Sequence, residues 1–171
     1  FTFWDFNHGF GTNVFNLNLF DPTLILIYAL GVVFGPEHIA WYLVYMQVLR
    51  IVLAGLVFYY YLSCFSFSER TKCLIAYIYA LNGFQMVWGQ HYQFGMSVIY
   101  LPLLLLVTER CMRRQRFHPP VVLAVWITTI YSAYRSYMMF VCLGFYIFIR
   151  LFAMQKQPLK KELELKESRD Q

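Results

Sequence analysis

His38–Cys64 reads HIAWYLVYMQVLRIVLAGLVFYYYLSC, 27 residues with one formal charge, Arg50, near the centre. As a helix it would be about 40 Å long at ~1.5 Å per residue, enough to cross a hydrocarbon layer of about 30 Å with tilt to spare. Gly35-Pro36 marks its start. The sequence around it is of the same kind. Of 171 residues, 60% are apolar, 20% aromatic and 13% charged, where soluble domains carry about a quarter charged residues. Apolar runs recur between short polar or basic clusters, which is the pattern of serial membrane spans rather than of one buried core.

Working outward, further spans are expected at 73–89, 96–108, 119–134 and 136–152. The fold class is therefore an all-α, polytopic helical membrane bundle of about five transmembrane helices. Charge orients it. The net charge is +5, and twelve of the fourteen Lys/Arg lie in three clusters: Arg70/Lys72, Arg110–Arg116, and Arg150 to the end. The first 49 residues contain none. That distribution is the positive-inside signature and excludes a nucleic-acid face. With the three clusters in the cytoplasm, residues 1–37 are extracytoplasmic and 153–171 form a charged cytoplasmic tail. The apolar stretch 119–152 must then cross twice, as two short helices hinged at Tyr134-Arg135-Ser136. At 15–17 residues these are shorter than the hydrocarbon layer, so either the bilayer thins or they line a cavity. Asp21-Pro22 reads as an N-cap followed by Pro at the first helical position, opening a short interfacial or re-entrant helix. The chain opens at Phe1 without an initiator Met and is expected to be a piece of a longer protein. Cys64, Cys73, Cys111 and Cys142 follow no metal spacing and read as apolar filler.

This topology collects polar groups on the outer side. Asp5, Asn7 and His8 lie in the first loop. Asn82 and Gln85, three apart, share a helix face. His91 follows in an outer turn. Arg135 heads the last outer turn beside Tyr131, Tyr134 and Tyr137. Polar side chains at membrane depth usually face a bundle interior or a wet cavity. Arg50 has two readings: a cation for a phosphate, whose oxygens a guanidinium grips two at a time, or the partner of a buried carboxylate. Asp5 reads as an acid/base or as a turn-capping residue in a Gly-rich loop. Glu109-Arg110 reads as a pair at a cytoplasmic helix end. No phosphate-binding Gly loop, nucleophile elbow or zinc pattern occurs, so no nucleotide or metal cofactor is implied; a divalent cation stays open.

The series W-D-F-x-x-G-x-G (Trp4–Gly11), D-P (Asp21-Pro22), L-R-x-x-L-A-G-L (Leu49–Leu56), Y-A-L-N-G-F (Tyr79–Phe84), His91 and I-Y-L-P-L-L-L-L-x-x-E-R (Ile99–Arg110) resembles the YfhO family of bacterial membrane proteins over about residues 3–152. That family in turn resembles GT-C glycosyltransferases. The resemblance implies a GT-C-like enzyme, active when full length, at the outer face of the bacterial cell membrane. Its donor would be a polyprenyl-phosphate-linked sugar among membrane lipids, and its acceptor a cell-surface polymer or glycolipid of the lipoteichoic-acid kind. It also implies that the catalytic base is an Asp upstream of Phe1, with Asp5 as fallback, so this piece alone is expected to be inactive. Arg50, Arg135, His91, Asn82, Gln85 and Asp5 are then the candidate substrate-binding residues, with the arginines on the leaving phosphate. The alternative is a lipid or polymer transporter or flippase without transferase activity, which explains an intramembrane Arg equally well.

Overall fold

The computed structural model describes residues 4–5, 12–13, 21–88, 95–114 and 119–167, with side chains for 21–88, 95–114, 119–132 and 134–153. The chain forms two compact units, 1–136 and 137–171. Among the described residues the architecture is helical apart from one short antiparallel pairing, β1 (Trp4–Asp5) with β2 (Thr12–Asn13), in which Asp5 pairs with Thr12.

The first long element of unit 1 is a helical hairpin. Helix α1 (Pro22–Phe34) opens as its sequence dictates: Asp21 is extended, and its carboxylate accepts from the Thr23 N–H at 2.8 Å and the Thr23 hydroxyl at 2.7 Å, with Pro22 in the first turn. It stops at Gly35, whose φ of 104° lies where side chains are strained and where a Cβ would collide with the Glu37 carboxylate. A 3-10 turn, Pro36–His38, then leads into α2 (Ile39–Leu62). Helix α1 lies antiparallel along the first half of α2. Gly31 meets Ile39, Leu24 and Ile27 cluster with Met46, and Asp21 reaches Arg50.

The second half of α2 packs on α3 (Glu69–Ala80). Ser68 caps α3 by accepting from the Thr71 N–H at 3.2 Å. In its first turn Glu69 accepts from Lys72 and from the Tyr59 hydroxyl, each at 2.7 Å. Lys72 first and Tyr59 second hold the Glu69 carboxyl below its ordinary range. The α2–α3 crossing is built from Ala54, Gly55, Ala76 and Ala80. A Cβ on Gly55 would stand 3.2 Å from that of Ala80, and small residues permit such close approach in membrane bundles. The span expected at 73–89 is interrupted. Helix α3 ends at Ala80, and Asn82 bridges the break: its amide N–H donates to the Tyr79 carbonyl at 2.7 Å, and its Oδ1 accepts from the Gln85 N–H at 2.8 Å, opening α4 (Gly83–Trp88). Tyr79 stacks on Phe58 at 4.0 Å and donates its hydroxyl to the Val98 carbonyl at 2.8 Å.

That bond ties α3 to α5 (Ser97–Arg114), a largely buried helix that packs on α2 and on α6 (Pro119–Tyr131). Helix α5 continues past the 96–108 expected for its span, through the basic cluster. Glu109 is buried and pairs with Arg113, not Arg110, at 2.8 Å. The correction follows from helix geometry, since residues four apart share a face and adjacent ones do not. The Arg113 guanidinium lies 5.5 Å from the Phe65 ring centroid, so both basic clusters of unit 1 sit at one end, hereafter the basic end. The last break falls at Ser132, not at the expected 134–136. The Ser136 hydroxyl donates to the Thr128 and Ser132 carbonyls and so satisfies the frayed end of α6. Arg135 thus lies in the first turn of α7 (Ala133–Glu167), not in a hinge. Unit 2 consists of the remainder of α7, where Phe148 and Phe152 pack at 4.7 Å. The helix runs without a break across residue 153 to Glu167.

Among the described residues two helical stretches are long and apolar enough to cross a bilayer, Pro36–Leu62 and Tyr134–Ala153; Pro22–Phe34 and Pro119–Tyr131 are shorter apolar helices. The lengths coincide in a way that matters. From Arg50 to the end of α2 is about 18 Å, α3 is about 18 Å long and α6 about 20 Å, at 1.5 Å per residue. Starting from the basic end, α6 runs out close to the level of Arg50, its Tyr131 within electrostatic range of the guanidinium, whereas α3 stops short of it, its last residue Ala80 meeting Gly55.

Asn82 holds both ends of the α3–α4 break. Asn82→Ala is expected to lower stability by about 0.5–2 kcal/mol, and Asn82→Asp to recover only the acceptor half of the loss. Thermal unfolding in detergent reads this; an unchanged Asn82→Ala protein would remove the bridging role.

Candidate functional site: a buried polar cluster at the level of Arg50

Arg50 is 1% exposed, at the midpoint of α2, and Asp21 is fully buried. The Arg50 Nη2 lies 3.4 Å from the Asp21 Oδ2 and also donates to the Thr23 hydroxyl. Asp21 thus has two tasks: one oxygen caps α1, the other faces the guanidinium. The helix dipole and the arginine both favour an anion there. The Gly95 backbone also packs close to the Arg50 side chain. A Cβ on Gly95 would stand 3.0 Å from Nη1 and 3.1 Å from Cδ, so only glycine leaves the guanidinium room. Of the two readings of Arg50, the geometry supplies the carboxylate that the structural one requires.

The cluster extends across the bundle. Tyr100 of α5 and Tyr131 of α6 lie within electrostatic range of both Asp21 and Arg50. Their rings meet edge-on at 5.2 Å. The Tyr131 hydroxyl accepts from Arg135 Nη1 at 2.8 Å and lies 3.4 Å from the Ser97 hydroxyl. The Arg135 guanidinium also sits over the Tyr131 ring, 5.2 Å from its centroid, a cation–π arrangement. Tyr131 is 1% exposed and Arg135 half-buried. Five elements therefore converge on one level: the start of α1, the middle of α2, the start of α5, the end of α6 and the start of α7.

Of the expected site residues, Arg50 and Arg135 are brought together around Tyr131. Asn82 is drawn instead into the α3–α4 break, its amide occupied by backbone. Gln85 is 2% exposed on α4, and neither amide atom has a hydrogen-bond partner among the described residues. The Asp5 backbone lies in β1; its side chain, and the whole of His91, lie outside the described residues. Asp21, Thr23, Ser97, Tyr100 and Tyr131 were not singled out as site residues from sequence. Asp21 carried the one usable signal, a carboxylate N-cap next to a span with an unexplained cation. No group of three metal-ligating side chains occurs among the described residues.

The sequence matches the family described as "Bacterial membrane protein YfhO" over residues 1–167. No curated protein and no solved structure matches.

Breaking the buried pair strands one charge. Arg50→Leu in the full-length protein is expected to cost about 3–5 kcal/mol in unfolding stability, and Arg50→Leu with Asp21→Asn to recover most of it. A double variant as unstable as Arg50→Leu alone would show that Asp21 does not balance the arginine.

Proposed function

Because the chain belongs to the YfhO family of bacterial membrane proteins, we propose that it is the membrane-embedded part of a GT-C-like glycosyltransferase, moving a sugar from a polyprenyl-phosphate carrier to a cell-surface polymer or glycolipid at the outer face. In this reading five spans cross the cell membrane, with the basic end in the cytoplasm and the Arg50 level lying below the outer surface. Residues 1–37 then sit on the outer side, with α1 re-entrant, and 153–171 in the cytoplasm.

One observation carries the reading. A half-buried Arg135 is held by the ring and hydroxyl of a buried tyrosine, at the level where α6 runs out. Chemically, the acceptor hydroxyl loses its proton to a base as it attacks the anomeric carbon, and the carrier phosphate leaves with growing negative charge. A guanidinium already held in place meets that charge with little rearrangement. Arg135 takes this role. Arg50, paired with Asp21, keeps the structural role of holding α1 to α2, and Asn82 that of bridging the α3–α4 break; Asp5, Gln85 and His91 stay as candidates for the sugar and acceptor. The helix breaks at Leu81-Asn82 and Ser132 favour one rival, a transporter or flippase, because interrupted helices frame substrate paths in transporters.

The test uses full-length protein in lipid nanodiscs with a polyprenyl-phosphate-linked sugar. Arg135→Lys keeps the charge but loses the fork, and is expected to weaken donor binding by about 1–3 kcal/mol. Normal donor binding by a well-folded Arg135→Ala would sink the phosphate role; lipid translocation in vesicles without sugar transfer would favour the transporter. Topology has its own check. Cysteines placed at Asn13 and Arg135 should label from outside, and those at Arg70, Arg113 and Lys160 should not. Labelling of the Arg135 and Arg113 positions from one side would overturn the five-span arrangement.

A further inference from the structure

An apolar groove of about 360 Å³ runs between α2 and α3 on the surface of unit 1. Its floor is the small-residue crossing: Gly55, Ala76 and Ala80 let the two backbones approach and leave no side chain to fill the seam. Val52 and Leu56 of α2 and Tyr77 and Leu81 of α3 form its exposed walls, and Tyr59 and Cys73 stand where it reaches the basic end. From Ile51 to Tyr59 it follows α2 for about 12 Å at ~1.5 Å per residue. One leaflet of a ~30 Å hydrocarbon layer is about 15 Å deep. The lining offers little to a polar ligand, because the Tyr59 hydroxyl is already donated to Glu69 and a cysteine thiol is a weak donor. An open apolar groove of this length in a membrane protein suits a hydrocarbon chain.

The mouth of the groove adds charge. Arg70 lies three residues before Cys73 and seven before Tyr77, so the three share one stripe of α3, with Arg70 one turn beyond the last lining residue. It is exposed, and among the described residues no ion pair or hydrogen bond holds it, since Glu69 is taken by Lys72 and Tyr59. Side chains on a helix lean toward its N-terminus, which carries this guanidinium away from the groove and toward headgroup depth. Phe67, 46% exposed just before the cap of α3, is an aromatic of the sort found at that depth. A guanidinium takes two phosphate oxygens at once, and the first turn of α3 favours an anion. The cations nearby, with Arg113 reaching Phe65 of the same loop, select a headgroup whose phosphate charge no ammonium cancels. We propose that the α2–α3 groove binds one anionic phospholipid of the leaflet at the basic end: an acyl chain lies over the Gly55–Ala80 crossing, and Arg70 holds the headgroup phosphate. The chain covers the seam that the small residues leave open, so the lipid ties α2 to α3.

The experiment counts lipids on the full-length protein by native mass spectrometry, during titration with phosphatidylglycerol or phosphatidylcholine in detergent. Wild type should hold one phosphatidylglycerol in preference to phosphatidylcholine. Arg70→Gln changes an exposed side chain and should lower the affinity for phosphatidylglycerol roughly tenfold, to the level of phosphatidylcholine. Cys73→Trp fills the mouth of the groove with apolar bulk and should reduce the occupancy of both lipids. Soluble glycerol phosphate should not displace the lipid; displacement would overturn the role of the chain. Equal phosphatidylglycerol affinities in wild type and Arg70→Gln would overturn the assignment, as would full occupancy in Cys73→Trp. A Cys73→Trp protein that changes its oligomeric state, or loses thermal stability equally with and without lipid, would also overturn it, because the groove would then belong to a second copy or to another helix of the protein.

Discussion

A guanidinium at the midpoint of an apolar 24-residue helix has to find an anion, and much of unit 1 is arranged by that requirement. A charge at this depth costs at least ~2.5–3.5 kcal/mol on insertion scales. Hydrophobic burial cannot repay that; a carboxylate and further hydrogen bonds can. The carboxylate comes from Asp21, and it can come from there only because α1 folds back along α2. The fold-back in turn requires the glycine with positive φ at position 35 and the proline that starts the next turn. Gly95 completes the enclosure, because any side chain in its place would press on the guanidinium. Three glycine- or proline-dependent features thus answer to one charge.

The two arginines of the cluster differ in a way their residue type does not reveal. Arg50 faces a full negative charge and is closed off from solvent; Arg135 lies on a neutral phenol and its ring, and is only half-buried. A carboxylate partner cancels charge, whereas a tyrosine orients a guanidinium through its hydroxyl and its ring. The first arrangement ties α1 to α2, and the second fixes the direction of a guanidinium that is partly exposed. That exposure is why Arg135, the less buried of the two, is the better candidate for meeting a ligand.

The helical character was legible from hydropathy, because long apolar runs leave little ambiguity, and among the described residues two of the helices are long and apolar enough to cross a bilayer. The breaks were less so. Leu81-Asn82-Gly83 contains a turn signal, yet it sits in an apolar run and the hydropathy average passes over it; the Asn side chain, not its polarity, makes the break. Ser132 was missed for a related reason: what fixes that end is a hydroxyl four residues on, bonding back to carbonyls. Glu109 was paired with its neighbour in sequence instead of its neighbour on the helix. The Asp21–Arg50 contact was readable in principle. Asp21 lies fourteen residues before Gly35 and Arg50 fourteen after Pro36, so a hairpin turning at Gly35-Pro36 sets them side by side. Asp21 read as a cap satisfied the local signal and ended the search for a partner. The unpaired amide of Gln85 could not be read from sequence at all, since it depends on burial.

The two ends of unit 1 hold their charges by different means, and this bears on which end can respond to a ligand. At the basic end the pairs are local, Glu69 with Lys72 and Glu109 with Arg113, three and four residues apart on single helices. Such pairs survive any shift of one helix against another, because both partners move together. The cluster at the Arg50 level is assembled from five elements, and its contacts join residues as far apart as Asp21 and Arg50 or Ser97 and Tyr131. Displacing any one helix changes several of those contacts at once. A ligand that engages Arg135 therefore acts on a group whose position is coupled, through Tyr131 and Ser97, to α5 and α6. Among the described residues the basic end also joins elements, through the Tyr59–Glu69 hydrogen bond and the Arg113–Phe65 contact, but its ion pairs lie within single helices. A binding event that must be transmitted through the bundle is thus better placed at the Arg50 level, where polar groups are shared between elements, than at the end where most of the unit's positive charge resides.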